Sequence, residues 1–323
     1  MRTINWGIIG LGKIAHKFAQ DLSTLEQTKL HAVASRSQEK ANDFAKTYGA
    51  AVAYGSYEKL AKDPTIDAVY IATPHSFHKE HSVLCLKQKK AVLCEKPFAM
   101  NQQEVEDMVS CAQANDTLLM EALWTYFLPH YQFVLKTIES NTFGKLLKLK
   151  ADFGFKAALH PEGRLYKKAL GGGSLLDIGI YPIFAALSSL GYPKVISSEA
   201  TFFDNGADAS CNIHFGYSDE VEAVLHSTLE EETATTATFE FEDATLILNS
   251  RFHEPTSVSI IQNGKEDTKT FDYKTIGYSY EIEHFNQLIS DGKKESPIMT
   301  FDFSRQLISL LDAVRSQIGL DYD

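Results

Sequence analysis

Along the first 122 residues, short apolar runs alternate with stretches in which apolar side chains recur every three or four positions. Residues 5–9, 30–34, 68–72, 91–94 and 118–122 are rich in Val, Ile and Ala and read as buried strands. Residues 14–22, 38–48, 57–61, 78–88 and 102–114 carry helical spacing, and Asn101-x-x-Glu104 supplies a capping box for the last of them. Strand and helix in strict alternation imply parallel strands joined by crossover helices, a doubly wound sheet. Beyond residue 145, strand follows strand: 146–155, 196–203, 210–215, 221–227, 237–242, 245–248 and 258–262. Lys145-Leu146-Leu147-Lys148-Leu149-Lys150 and Thr238-Phe239-Glu240-Phe241-Glu242 alternate polar with apolar, as strands of an antiparallel sheet with one covered face do. One long helix near 175–190 and two more, 280–289 and 303–317, complete the pattern. The expected fold class is α/β plus α+β. A doubly wound parallel Rossmann sheet occupies 1–122, and 123–323 form an α+β second domain on a mostly antiparallel, open-faced sheet. The C-terminal helices are free to pack back on the first domain.

Length agrees with that division, because 323 residues exceed what a single core usually serves. Hydrophobic residues at 44% and charged residues at 23% are ordinary globular values, so composition adds nothing unusual. Charge does narrow the ligand class. A formal net charge of −11 argues against a nucleic-acid partner, which needs a basic face to release counterions from phosphate, and leaves small molecules. Cys85, Cys94, Cys111 and Cys211 form no C-x-x-C pair, and the first three sit in apolar segments. They read as reduced core thiols of a cytoplasmic protein, with no disulfide and no metal site. The opening MRTINWGIIG has one basic residue and no long apolar core, and no uninterrupted apolar run reaches membrane-spanning length, so no membrane partner is expected.

The first strand runs directly into Gly10-Leu11-Gly12-Lys13-Ile14-Ala15. Between a strand and a helix, these glycines permit the tight turn and close backbone approach that a pyrophosphate needs, with its charge on the helix N-terminus. At the end of the second strand, where an acid would grip the ribose of NAD, stand Ser35 and Arg36. A hydroxyl and a guanidinium suit a 2′-phosphate, so NADP(H) is preferred and NAD(H) possible; the alternative is that Arg36 only stacks on adenine. After the fourth strand come Thr73-Pro74-His75-Ser76-Phe77-His78, with His81 a turn further. Three histidines at a spacing of three resemble a metal site, but no third well-placed ligand or acidic partner accompanies them. Thr73, Pro74 and His75 instead form a cofactor loop, and His78 faces the crevice or caps the helix. The fifth strand ends in Glu95-Lys96-Pro97, on the same sheet edge, so both charged side chains are expected to point into the cofactor crevice. Pro97 biases Lys96 toward extended backbone, and a positioned ammonium there can stabilise charge on a substrate oxygen.

G-x-G-x-x-A, A-T-P-x-x-x-H and E-K-P, followed by a mostly antiparallel second domain, resemble the glucose-fructose oxidoreductase/inositol dehydrogenase (Gfo/Idh/MocA) family over essentially the whole chain. The resemblance implies that Lys96 is catalytic and that Asp177 begins the D-x-x-x-H element of the second domain. The histidine position holds Tyr181, as in the branch containing dihydrodiol and xylose dehydrogenases, where a tyrosine serves as the acid/base. Glu121-Ala122-Leu123-Trp124-Thr125-Tyr126 also resembles that branch, except that Tyr126 stands where it carries Arg. Read on their own, Asp177 and Tyr181 lie four apart on one helix face, but Ser174-x-x-Asp177 is equally a capping box after three glycines. Tyr181 is equally a core aromatic; a neighbouring Lys96 would lower its pKa toward that of a useful base. Pro182 is expected to deprive the Ile178 carbonyl of its helical donor and to kink the helix. Trp124, Phe153, Phe155, His160 and Arg164 are candidates to line a pocket for a sugar ring or a dihydrodiol. Hydride transfer between nicotinamide and a secondary alcohol or carbonyl is the expected activity, in a homodimer or homotetramer built through the second sheet. A non-catalytic dinucleotide-binding regulator and an NAD-dependent glycosidase are the alternatives.

Overall fold

The computed structural model of the chain describes residues 2–322 apart from 159, 161 and 219. It divides into two compact units. One holds the residues up to Trp124 together with Lys274–Arg305; the other holds Thr125–Tyr273 and the segment from Gln306 onward. The division expected after residue 122 therefore falls after 124, and 274–305, which a linear division assigns to the second domain, return to the first.

In the first unit, β1 (Ile4–Ile9), β2 (Thr28–Ala34), β3 (Val52–Tyr54), β4 (Ala68–Ile71), β5 (Ala91–Glu95) and β6 (Leu119–Ala122) form a parallel sheet in the order β3-β2-β1-β4-β5-β6. The crossovers carry α1 (Lys13–Leu22), α2 (Gln38–Tyr48), α3 (Tyr57–Ala61), α4 (His78–Leu86) and α5 (Gln102–Ala114). Strand order reverses between β1 and β4, which opens the ligand crevice at their carboxyl ends. Every residue of β4 and β5 is buried, as strands covered on both faces must be. Beneath the sheet Phe18 stacks on Tyr70 with ring centroids 3.6 Å apart, and Trp6 packs on Phe18 and Phe285.

The second unit begins with α6 (Pro129–Glu139) and β7 (Leu146–Gly154), then α7 (Ile180–Leu190) and β8 (Val195–Phe202). Strands β9 (Asp208–Ser218), β10 (Val221–Thr228), β11 (Ala237–Phe241), β12 (Thr245–Leu248), β13 (Val258–Gln262) and β14 (Lys265–Lys269) follow. They form one sheet ordered β14-β13-β12-β11-β7-β10-β9-β8, parallel only between β7 and β10. Burial alternates along β10, β11 and β12, with α7 and a preceding π-helical turn, Leu175–Gly179, on the covered face. The helical stretch Lys168–Leu190 contains no uninterrupted apolar run of membrane-spanning length, but its length and mean hydropathy would allow it to cross a membrane; 94% of its most apolar window is buried. It is the core helix of this unit. The chain then supplies α8 (Tyr278–Ser290) to the first unit and ends with α9 (Phe301–Ile318).

Candidate active site

Gly10 sits at φ +89°, and a Cβ there would lie 2.7 Å from the Ala72 carbonyl carbon and oxygen, so the β1 turn and the loop after β4 touch backbone to backbone. Gly12, the residue before α1, has open space where its Cβ would stand, and no side chain caps the helix. Lys13 and Ile14 open α1. An uncapped helix N-terminus behind a bare backbone cradle fits a pyrophosphate. At the end of β2, Ser35 Oγ accepts the Ser37 N–H at 3.2 Å, which keeps its hydroxyl proton as a donor, and Arg36 is exposed beside it. The residues present therefore fit a dinucleotide.

Thr73, Pro74 and His75 form the loop after β4, with His75 in a short 3₁₀ turn, 3% exposed. His78 requires a correction. It is fully buried between two backbone carbonyls, Pro97 O at 2.8 Å from Nδ1 and Thr73 O at 2.9 Å from Nε2, and a neutral ring donates to one of them at a time. It neither faces the crevice nor caps the helix; it ties the β4 loop to the β5 loop. Burial pushes its pKa down to about 4 although both carbonyls favour the cation. At neutral pH the ring thus carries one proton between two acceptors.

Glu95 is a second correction. Successive strand residues face opposite sides, and while Lys96 is half-buried, the Glu95 carboxylate turns into the core, where the Tyr70 hydroxyl donates to it. Its place under the sheet suits a structural anion better than a cofactor ligand. The loop around Lys96 is held at both ends: His78 takes Pro97 O, and Glu121 on β6 accepts the Phe98 N–H at 2.9 Å. The Lys96–Pro97 peptide is cis. Trp124, also in this unit, is 4% exposed and stacked on Tyr278 with ring centroids 4.3 Å apart, which leaves it little surface for a substrate.

In the second unit the Asp177 Oδ1 lies 2.6 Å from Arg164 Nη1. Ser174 does not cap this helix. Asp208, from the start of β9, accepts the Leu175 N–H at 2.6 Å and the Ser174 hydroxyl at 2.8 Å through one oxygen, and its other oxygen fills the space where a Gly173 side chain would stand. The cap comes from 34 residues downstream, so local spacing could not reveal it. The π-helical turn carries Asp177, and it disturbs the four-residue spacing on which a shared face with Tyr181 rested. Pro182 lies in the interior of a helical run that continues unbroken from Ser174 through the π-helical turn, so its missing N–H leaves a carbonyl one turn back without its helical donor.

Tyr181 is 6% exposed, between Phe153 (ring centroids 5.7 Å) and His253 (4.9 Å); Phe153 itself stacks on His253 at 4.1 Å, with Phe155 6.3 Å away. The sequence reading missed His253. It stands in the loop after β12, and its only sequence signal is the charged, non-periodic run Arg251-Phe252-His253-Glu254. Burial would raise the Glu254 pKa, but hydrogen bonds from His253 and Arg251 hold it well below the carboxylate range. Thr125 donates to the His253 carbonyl at 2.8 Å. Tyr126 packs edge-on to Phe184 at 5.1 Å. His160 is exposed on a turn closed by the Gly163 N–H on its carbonyl at 2.8 Å. The structure thus groups Arg164 with Asp177, and Phe153 with Tyr181.

A parallel sheet with a bare glycine cradle, and a lysine fixed on the same edge, define a dinucleotide-dependent oxidoreductase. Comparison with known proteins places the chain within that class. Residues 4–123 match the family described as "Oxidoreductase family, NAD-binding Rossmann fold", and 131–256 match the "GFO/IDH/MocA C-terminal domain". The chain belongs to the Gfo/Idh/MocA oxidoreductase family. It is 36% identical to trans-1,2-dihydrobenzene-1,2-diol dehydrogenase of Xenopus tropicalis over 98% of each chain. It is 34% identical to scyllo-inositol 2-dehydrogenase (NADP(+)) of Bacillus subtilis over 99% of this chain and 98% of the other. Among solved structures it is similar to a 3-ketoreductase from Actinomadura kijaniata in complex with NADP and TDP-benzene, with a TM-score of 0.88 and 26% identity over 98% of each chain.

Proposed function

We propose that this enzyme transfers hydride between NADP(H) and a secondary alcohol, or its carbonyl partner, on a sugar or dihydrodiol. The observation that carries the reading is Lys96, fixed through Pro97 and Phe98 on the sheet edge that also carries the Gly10–Gly12 cradle. NADP(H), held by Gly10, Gly12, Ser35, Arg36 and the Thr73–His75 loop, supplies the hydride chemistry. The chain supplies orientation and a proton path. Lys96 donates to the substrate oxygen, so that charge developing there in either direction meets an ammonium. Tyr181 removes the hydroxyl proton during oxidation and returns it during reduction. Asp177 holds Arg164, whose guanidinium binds a further substrate oxygen. Preference for NADP is supported by the absence of an acid at Ser35-Arg36 and by the NADP named for two of the similar proteins. The active form we propose is a homodimer joined through the open face of the second sheet, working in the cytoplasm, where its four free cysteines stay reduced.

The test is kinetic and spectroscopic. Screening sugars and diols by reduced-nicotinamide absorbance with each cofactor identifies the substrate. Lys96→Met and Tyr181→Phe should then each lower kcat by about 10²-fold or more while NADP binding, read by fluorescence, persists. Unchanged turnover in either variant with cofactor still bound overturns the assignment.

A further inference from the structure

We propose that His78 is a positioning residue for Lys96, and that its single imidazole proton, shared between the Pro97 and Thr73 carbonyls, couples the cofactor loop to the lysine loop. The inference rests on the roles given above to Lys96 and the glycine cradle, and adds the element that joins them. The peptide between Pro97 and Phe98 is gripped on both sides: His78 Nδ1 lies 2.8 Å from its oxygen, and Glu121 accepts its N–H at 2.9 Å. Pro97 has a fixed φ and no N–H, so the orientation of that peptide plane sets the direction in which the chain leaves Lys96.

The other edge of the same ring meets the cofactor loop. His78 Nε2 lies 2.9 Å from Thr73 O, and His81, one turn further along α4, places Nδ1 3.0 Å from Thr73 Oγ1. Thr73 in turn belongs to the backbone against which Gly10 turns, its nitrogen 2.8 Å from where a Gly10 Cβ would stand. Contacts therefore run from the glycine cradle through Thr73, His78 and Pro97 to Lys96, all within the first unit. The imidazole is the two-state member of that chain. It is fully buried, and burial pushes its pKa down to about 4, so at neutral pH it has one N–H and two acceptors at nearly equal distances. With the proton on Nδ1 the ring holds Pro97; with the proton on Nε2 it holds Thr73. The spacing of A-T-P-x-x-x-H thereby gains a physical sense, since the turn into α4 brings the ring back onto the Thr73 carbonyl.

Amides that reach one side only separate the two bonds. An asparagine amide stands near the place of Nδ1 and a glutamine amide near that of Nε2, so His78→Asn keeps a donor for Pro97 and His78→Gln one for Thr73. In the intact enzyme, His78→Gln should lower kcat about tenfold more than His78→Asn does, the size of one lost bond to a buried carbonyl. Conversely, His78→Asn should weaken NADP, measured by calorimetry, about tenfold more than His78→Gln does. Lost packing alone gives no such crossed pattern. In unmodified enzyme labelled with nitrogen-15 histidine, both His78 ring nitrogens, assigned through their coupling to the ring protons, should resonate between the values of a bare and a protonated nitrogen. Equal effects of the two variants, the reverse pattern, or one nitrogen fully protonated and the other bare overturns the proposal. Should either variant fail to fold, the nitrogen shifts of the unmodified enzyme decide it. If Lys96→Met turns over at the unmodified rate, it is the underlying reading of Lys96 that fails, while the nitrogen shifts and NADP affinities still test the shared proton.

Discussion

Glu121 accepts hydrogen bonds from the Phe98 N–H at 2.9 Å and the Ser304 hydroxyl at 2.7 Å, yet lies 2% exposed in the first unit with the Glu95 carboxylate nearby. The two donors favour its charged form and burial opposes it; burial wins, raising the pKa from 4.5 to about 7. A folded-state pKa above the unfolded one means stability that is whole below pH 4.5 and is lost as pH rises through 7. The loss approaches about 3 kcal/mol for a shift of that size. Glu121→Gln, which keeps an acceptor for Phe98, should therefore melt higher than the unmodified protein at pH 8 and lose that advantage at pH 5. Calorimetry at both values decides it, and a melting difference independent of pH sinks the argument. Gly10, Gly12, Ser35, Arg36 and Lys96 stand out in the sequence as candidates because a ligand loop needs particular residue types next to one another. Glu121, His253 and Asp208 were not, because each acts on a partner that is close only after folding.

At the level of elements, the capping box at α5 shows how far local rules reach. Asn101 Oδ1 accepts the Glu104 N–H at 2.9 Å, as the spacing predicts, and Glu104 answers to the Met100 N–H at 3.1 Å, one residue before the cap. Asn101→Ala should cost about 1 kcal/mol and shift the denaturant midpoint without changing its slope. A midpoint that stays put means Met100 and Glu104 suffice to start the helix. Alternating and continuous apolar runs revealed most strands, since burial on one face or two leaves a period-2 or unbroken pattern. Three elements left weaker traces. β3 is three residues long, too short for a pattern; α6 is announced by Pro129 at its first position; and β14, exposed throughout, follows Asn263-Gly264, both at positive φ, a hairpin turn signal. The π-helical turn before α7 packs against β7, β9 and β10, and Pro182 just beyond it is its one local sequence signal.

For the whole molecule, the return of residues 274–305 to the first unit is a fact of tertiary packing: Trp6 Nε1 donates to Asn286 at 3.1 Å, and Asp21 accepts the Gly277 and Ser279 N–H groups at 3.0 and 3.1 Å. Helical spacing marked that segment as a helix without saying which sheet it would join. The second unit's open face bears on assembly. There Lys148 pairs with Glu222, His214 lies 2.7 Å from Glu222, and Lys150 lies 2.6 Å from Glu240, so every charge in this ladder has an opposite neighbour on an adjacent strand. Exposed pairs of this kind add little stability to a single chain, but they make a sheet face neutral enough to be covered. Among them Val224, on β10 between Lys150 and His214, is 41% exposed, an apolar side chain at the middle of the sheet. A second copy of the same face would cover it by two-fold symmetry. Light scattering should therefore give a particle of twice the 36.0 kDa chain mass, and Val224→Asp, which sets an unpaired charge at that position, should return it to the single-chain mass with the helical circular-dichroism signal intact. A single-chain mass for the unmodified protein at micromolar concentration, or a dimer indifferent to the aspartate, removes this face from the account of assembly.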